Sequence, residues 1–240
     1  MKKSVFIISL LLTVILCALT CCNVSETENS ATENDEVTTA GEGSALNKTP
    51  VKLPCAADNV LTVMRMYGYS GKFVEDASFQ EKENVAAIEI LNGSEKDIRL
   101  ARIIVTTRDR ELLFEVTTLP AYNTITVLEK NAAVFVEGEE IIDIRVDNRV
   151  DFESKLSFLE DVFQVSGTGY VFNVKNISDT DVQSDIYVYY KKIDENGKLF
   201  GGITFRSKVD GLNAGELKQI PASNFVSDDS RVIFLEYAGV

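Results

Sequence analysis

From residue 51 onward the chain is a series of short runs rich in Val, Ile, Tyr, Phe and Thr. In Ile141–Val146 and Ile186–Tyr190, odd and even positions differ in polarity or bulk. Alternation with a period of two is typical of β-strands, and no long stretch shows the 3.6-residue period of an amphipathic helix. Asn92-Gly93 and Asn196-Gly197 supply turn residues between the runs. The sequence therefore predicts an all-β protein with antiparallel strands.

The two halves of this region resemble each other. The run at 88–98 precedes the run at 172–182 by 84 residues, and Asn, Ser and Asp coincide at 92/176, 94/178 and 97/181. Later matches have larger offsets, which predicts a longer hairpin in the second copy, around 194–197. We therefore expect two tandem antiparallel β-sandwiches, at 51–149 and 150–240.

The second copy also resembles a known family. Its matching segments are Gly167–Val182, Ile186–Tyr190, Asp194–Leu199 and Leu212–Glu216. This order resembles the FxLYD-type and related immunoglobulin-like modules of bacterial envelope lipoproteins. Lys191-Lys192-Ile193 departs from the family pattern by separating the tyrosine from the acid. The resemblance implies immunoglobulin-like sandwiches in an exported protein, and it carries over no catalytic residue.

The first 22 residues have the parts of a secretion signal: a basic start, an uncharged run at 4–20 and small residues after it. Bacterial lipoprotein signals place an aliphatic residue three positions before the lipidated cysteine. Leu19 has that spacing to Cys22, which is the predicted lipidation site, with Cys21 as the alternative. An uncleaved single-pass anchor is the other interpretation of the apolar run. We expect an exported chain, lipid-anchored to the bacterial cell membrane and facing outward.

The composition of residues 23–50 predicts a disordered acidic linker. They contain mostly Glu, Ser, Thr, Asn and Gly and almost no apolar side chain. Such a segment buries too little surface to offset its ordering entropy. It would hold the folded part away from the lipid.

Residue types that are missing exclude several functions. The chain has no histidine, so it has no Ser-His-Asp or Cys-His arrangement and no imidazole metal ligand. Its formal net charge of −13 disfavours nucleic acid as a partner. Cys55 is the single cysteine beyond the signal, and no cofactor motif occurs. We therefore expect a protein that is not an enzyme, although two carboxylates alone would suffice for a glycosidase.

Two groups of side chains are weak candidates for binding. Asp179, Asp181 and Asp185 form an acidic cluster, for which Asx-turn chemistry is the simpler alternative to a calcium site. Four tyrosines are candidates for a carbohydrate-binding platform: Tyr67, Tyr69, Tyr187 and Tyr189. Alternation places Tyr187 and Tyr189 on one face of their strand and Val188 and Tyr190 on the other, so one of the two faces is core.

The sequence favours a non-catalytic, membrane-tethered surface lipoprotein that binds another envelope or extracellular component. The partner is an unknown envelope protein or a glycan. A structural spacer or assembly subunit of the envelope, and a carbohydrate-binding accessory protein, are the alternatives.

Overall fold

The computed structural model describes residues 48–239, so the predicted signal, Cys21, Cys22 and nearly all of the predicted linker lie outside the described residues. The described part of the chain is all-β, as the alternation predicts. Its thirteen strands are β1 (Cys55–Ala56), β2 (Leu61–Lys72), β3 (Glu81–Asn92), β4 (Ile98–Thr107), β5 (Glu111–Leu119), β6 (Thr124–Leu128), β7 (Ile141–Asp151), β8 (Phe163–Thr168), β9 (Val171–Asn176), β10 (Ile186–Lys192), β11 (Phe205–Val209), β12 (Leu217–Pro221) and β13 (Ser230–Tyr237).

The first sandwich-like body consists of β1 to β7. One sheet has the order β1-β2-β3-β6 and the other β5-β4-β7, with antiparallel neighbours throughout. Inward positions of both sheets form the core, with Ile88 and Ile90 from β3, Ile103 from β4 and Phe114 from β5 all fully buried. The burial alternation along β4 and β5 is the period that the sequence shows.

The second sandwich-like body consists of β8 to β13, in antiparallel sheets ordered β12-β9-β8 and β11-β10-β13. Aromatic rings fill much of its core. The Phe172 ring centroid lies 4.6 Å from that of Phe225 and 5.3 Å from that of Tyr190. The described residues hold no disulfide, and Cys55 is a free thiol. Apolar packing therefore stabilises both bodies.

The repeated Asn, Ser and Asp residues make the same turn in each body. The Asn92 carboxamide accepts from the backbone N–H and hydroxyl of Ser94 and donates to Lys96 O. Asn176 repeats these three contacts with residues 178 and 180. Asp97 accepts a hydrogen bond from Ala121 N, between β5 and β6, and Asp181 accepts one from Ala214 N, between β11 and β12. The internal repeat is thus a repeat of turn chemistry.

One segment differs from the predicted strands. The sequence predicts a strand at 157–165, but β8 begins at Phe163 because the chain turns at Leu159. Leu159 has a φ of 49°, and its carbonyl accepts from Phe163 N. The longer second hairpin is present, and it connects β10 to β11 through residues 193–204.

Candidate ligand cleft between the two bodies

The second body extends the long hairpin onto the first body. We call residues 193–204 the hairpin arm. Thr126 N donates to Leu199 O at 2.9 Å and Gly201 N donates to Thr126 O at 2.6 Å, so the arm pairs with β6. Thr117 N donates to Gly201 O at 2.8 Å, so the same arm also pairs with β5. The arm therefore joins one edge of each sheet of the first body.

Apolar packing reinforces this docking. Phe200 is buried in a small core with Phe73, Val74 and Leu128 of the first body. Close approach explains the glycine that follows it, because a Cβ on Gly201 would lie 2.6 Å from a methyl carbon of Val127. The chain needs glycine there for the arm to reach β6.

A lysine at the end of β10 crosses to the first body. Lys191 is fully buried, and its Nζ lies 2.6 Å from Thr117 O and 2.9 Å from Gly202 O. Thr117 Oγ1, Gly201 O and Thr204 Oγ1 are each 3.1 Å away. Five oxygens from β5 and the arm thus share the three donors of one ammonium group. This contact fixes the base of the arm against the first body.

A buried carboxylate lies on the other side of the arm. Glu75 is 6 % exposed, its side chain touches Gly202, and its Oε1 has no hydrogen-bond partner. Burial raises the pKa of Glu75 to about 7, against the opposing effects of Lys191 and the backbone of Leu128. Burial lowers the pKa of Lys191 to about 7, against the effect of Glu75. Both groups face the Gly201–Gly202 backbone, so the first and second bodies share one buried pair of titratable groups.

Beside the arm, the two bodies border an open cleft of about 660 Å³, which we call the junction cleft. Tyr67 and Tyr69 of β2 line it from the first body, and Tyr170 lines it from the β8–β9 turn of the second. Tyr170 is 63 % exposed, whereas the Tyr69 ring packs edge-on against Phe200 at 5.6 Å. Burial raises the pKa of Tyr69 to about 12, so its hydroxyl stays protonated and donates to Lys72 O. Tyr67, Tyr69 and Tyr170 together form an aromatic wall of the cleft.

Charged side chains around the cleft balance one another. Arg65, Lys72 and Lys192 face Asp194, Glu195 and Asp229 across the lining. Lys192 Nζ lies 2.7 Å from Asp229 and 5.1 Å from the centre of the Phe79 ring. Arg65 lies 2.5 Å from Glu89 and packs over the Tyr67 ring. The cleft offers paired charges, hydroxyl groups and ring edges, which suits a polar, uncharged or zwitterionic ligand better than a strongly charged one.

The structure brings only part of the predicted tyrosine set together. Tyr67 and Tyr69 share the junction cleft, but Tyr187 and Tyr189 lie elsewhere, on one face of β10. The Tyr187 ring lies beneath Arg206, and the Tyr189 ring stacks on Phe234 at 4.1 Å and packs against the first body's core. Val188 and Tyr190 face the second core, so the predicted alternation of the strand is confirmed.

The predicted acidic cluster is spread over separate contacts. Asp181 accepts from Ala214 N at 2.8 Å, and Asp185 pairs with Lys208 at 2.7 Å. Asp179 is exposed in the turn after Asn176. Among residues 48–239 no three acidic or cysteine side chains lie close enough together to hold a metal ion.

Sequence reasoning missed Lys191 and Glu75. Alternation along β10 gave no signal for Lys191, because Lys192 is the residue that continues the buried face of Val188 and Tyr190. No signal marks Glu75 either, which lies in the 73–80 connection between β2 and β3.

Comparisons with known proteins give no relatives. No family model matches the chain, and neither a curated protein nor a solved structure matches it. In the part of the chain that the structure describes, no helix is long and apolar enough to cross a membrane. The fold and the geometry of the junction cleft are therefore the basis for a functional proposal.

Proposed function

We propose that the chain is a non-catalytic, membrane-tethered surface lipoprotein that binds another envelope or extracellular component in the junction cleft. The observation that carries this proposal is the cleft itself, which has aromatic and charged groups from both bodies. Ligand sites occur preferentially in concave places where domains meet. The chain has no histidine to act as a general base, which supports binding without turnover.

The sandwich-like bodies support the finer proposal that each is immunoglobulin-like. The first has seven strands in sheets of four and three, and both place the same asparagine turn at the end of a central strand. This architecture presents loops at the ends of its sheets, and the β8–β9 turn with Tyr170 is one such loop at the cleft.

Envelope material provides the test of binding. The purified chain is incubated with solubilised bacterial envelope, and retained components are compared among variants. Tyr170→Ala and Lys72→Glu remove cleft groups, whereas Tyr122→Ala removes a tyrosine that is 69 % exposed away from the cleft lining. We expect both cleft variants to lose a component that Tyr122→Ala keeps. Equal retention by all three variants, or reproducible turnover of the bound component, would contradict the proposal.

The membrane tether is a separate part of the proposal and is tested separately. A bacterial host expressing the full chain is labelled with a palmitate analogue. We expect Cys22→Ala to abolish the label and Cys21→Ala to retain it. The reverse result would make Cys21 the anchor, and label in neither wild type nor variant would remove the lipoprotein proposal.

A carbohydrate ligand is the second candidate, and the aromatic wall of Tyr67, Tyr69 and Tyr170 favours it. Flat rings with polar tips suit a ligand that has an apolar face and many hydroxyl groups. Binding to a glycan array that is lost in Tyr67→Ala and kept in Tyr122→Ala would support this candidate. An array without signal would leave a protein component as the ligand. The spacer alternative draws support from the firm junction, and it predicts no loss of binding in any cleft variant.

A further inference from the structure

One sheet edge of the described chain lacks protection against pairing with another strand. Edge strands with open hydrogen-bonding groups usually carry charges or proline, or are covered. Among residues 48–239, every other edge strand longer than two residues has such a feature. These features are the arm over β6, Glu111 and Glu115 on β5, the charged row of β7, Arg206 and Lys208 on β11, Lys218 and Pro221 on β12, and Arg231 and Glu236 on β13.

The exception is β8, Phe163–Thr168, which has neither a charge nor a proline. Strand β9 hydrogen-bonds to every second residue of β8. The bond from Ile177 N to Val162 O fixes which residues these are. Hydrogen bonding alternates along an antiparallel pair, so positions 164, 166 and 168 bond to β9 while Val165 and Gly167 direct N–H and C=O outward. Phe163 N bonds to Leu159 O, which leaves its carbonyl for an outside partner.

An apolar groove adjoins this edge. It has a volume of about 570 Å³, and its lining includes Val165 of β8, Val232 and Leu235 of β13, and one charged residue, Glu160. Phe158 and Ile177 at its rim are 45 % and 47 % exposed. A strand that joined β8 would place its own inward side chains over this groove.

We propose that a second copy of this chain pairs with β8, through a two-fold axis at Val165. Antiparallel pairing about that residue sets Val165 opposite Val165 and Phe163 opposite Gly167. Val165 N–H and C=O then form two reciprocal hydrogen bonds, and Gly167 N–H of each copy donates to Phe163 C=O of the other. The two sheets β12-β9-β8 become one continuous sheet, and the second Val165 covers the groove.

The distribution of charge on the edge strands favours β8 as the edge at which a second copy binds. A two-fold axis brings each strand next to its own copy, so an edge with charges of one sign, such as β5 with Glu111 and Glu115, would bring like charges together. The whole chain has a net charge of −13, so self-association requires an uncharged surface. Among the edges described, β8 meets this requirement, and its outward hydrogen-bond pattern is complementary to itself.

Sedimentation velocity of the full chain in detergent micelles tests the proposal. We expect a concentration-dependent dimer. Val165→Pro deletes the two reciprocal bonds, and proline is tolerated where an edge N–H faces solvent, so this variant should be monomeric and folded. Ser166→Glu changes an exposed side chain and brings like charges within about 8 Å across the axis, so it should weaken dimerisation roughly tenfold.

Leu217→Glu is the matched control, because Leu217 is exposed on β12 at the opposite edge of the same sheet. It adds the same charge and should leave the dimer intact. Far-UV circular dichroism checks that each variant is folded. A wild-type chain that stays monomeric at every concentration, or a dimer that Ser166→Glu and Leu217→Glu alter equally, would overturn the proposal. The junction cleft is not involved, so either result leaves the proposed ligand site unaffected.

Discussion

Replacing Lys191 with methionine should destabilise the described fold strongly. Methionine keeps the length and apolar stem of the side chain but removes the ammonium that contacts five oxygens of β5 and the arm. The partners of Lys191 are neutral oxygens, and a buried polar group left without its hydrogen-bond partner typically costs about 1–3 kcal/mol.

The contacts that remain limit how many of these oxygens lose their last partner. Gly201 O still accepts from Thr117 N, and Gly202 O still accepts from the Thr117 hydroxyl. Thr117 O is the carbonyl that depends most on Lys191, since its other contact, from Thr204 Oγ1, is 3.4 Å long. Glu75 loses its counter-charge but can bind a proton at neutral pH. We therefore expect a loss of about 3 kcal/mol in the free energy of unfolding.

Urea unfolding followed by far-UV circular dichroism measures this loss, since the chain has no tryptophan for fluorescence. For a fold of this size, 3 kcal/mol corresponds to a Tm lower by about 6–12 °C. The matched control is Lys208→Met, which removes an exposed lysine paired with Asp185 at 2.7 Å and should change the free energy of unfolding little. Equal costs for the two variants would refute the reasoning that the buried ammonium holds the arm in place.

Four further predictions concern the junction and the repeated asparagine turns. The pKa of Glu75 is raised to about 7, so the folded chain binds more protons than the unfolded chain between pH 4.5 and 7. The free energy of unfolding should therefore fall over that range. In a pH series of urea titrations, Glu75→Gln should remove this fall. The pKa of Lys191 is lowered to about 7, so the unfolded chain binds more protons between pH 7 and 10.5, and stability should rise over that range in wild type but not in Lys191→Met. Gly201→Ala should cost about 1–3 kcal/mol by crowding Val127, whereas Gly93→Ala, whose Cβ meets only Val60 O at 3.4 Å, should change the unfolding midpoint little. Asn92→Ala and Asn176→Ala should each cost about 1–3 kcal/mol, because both carboxamides are buried in equivalent turns; a large loss for one and none for the other would show that the repeated turns are not equivalent.

Local patterns predicted most of the strands and the repeat. The alternation of Ile186–Tyr190 depends only on which face is buried, so it could be seen in the sequence and is confirmed by the burial of Val188 and Tyr190. The equivalence of Asn92 and Asn176 could also be seen, because an asparagine turn uses residues within a few positions of it. These features require no knowledge of how the two bodies meet.

Features that depend on the meeting of the two bodies could not be predicted in this way. A lysine is expected to be exposed, and Lys191 is buried only because Thr117 and the arm surround its ammonium group. The Tyr189 ring is another such case, since it stacks on Phe234, and Phe234 of β13 belongs to the core cluster built mostly from the first body. Tyr67 and Tyr69 were candidates from the sequence, but part of the lining that shares their cleft, from Tyr170 to Asp229, lies more than a hundred positions further along the chain.

The position of the hairpin arm has a consequence for how the chain acquires its structure. The first body takes its closing segment, Leu199–Gly201, from beyond β10, far downstream of its own last strand. A ribosome makes the chain from its N-terminus, so the outer edges of β5 and β6 have no hydrogen-bonding partner until the strands up to β10 and the arm have been made. The two repeats should therefore unfold as a single cooperative unit. A fragment that ends after β7 should expose the unpaired edges of β5 and β6 and aggregate.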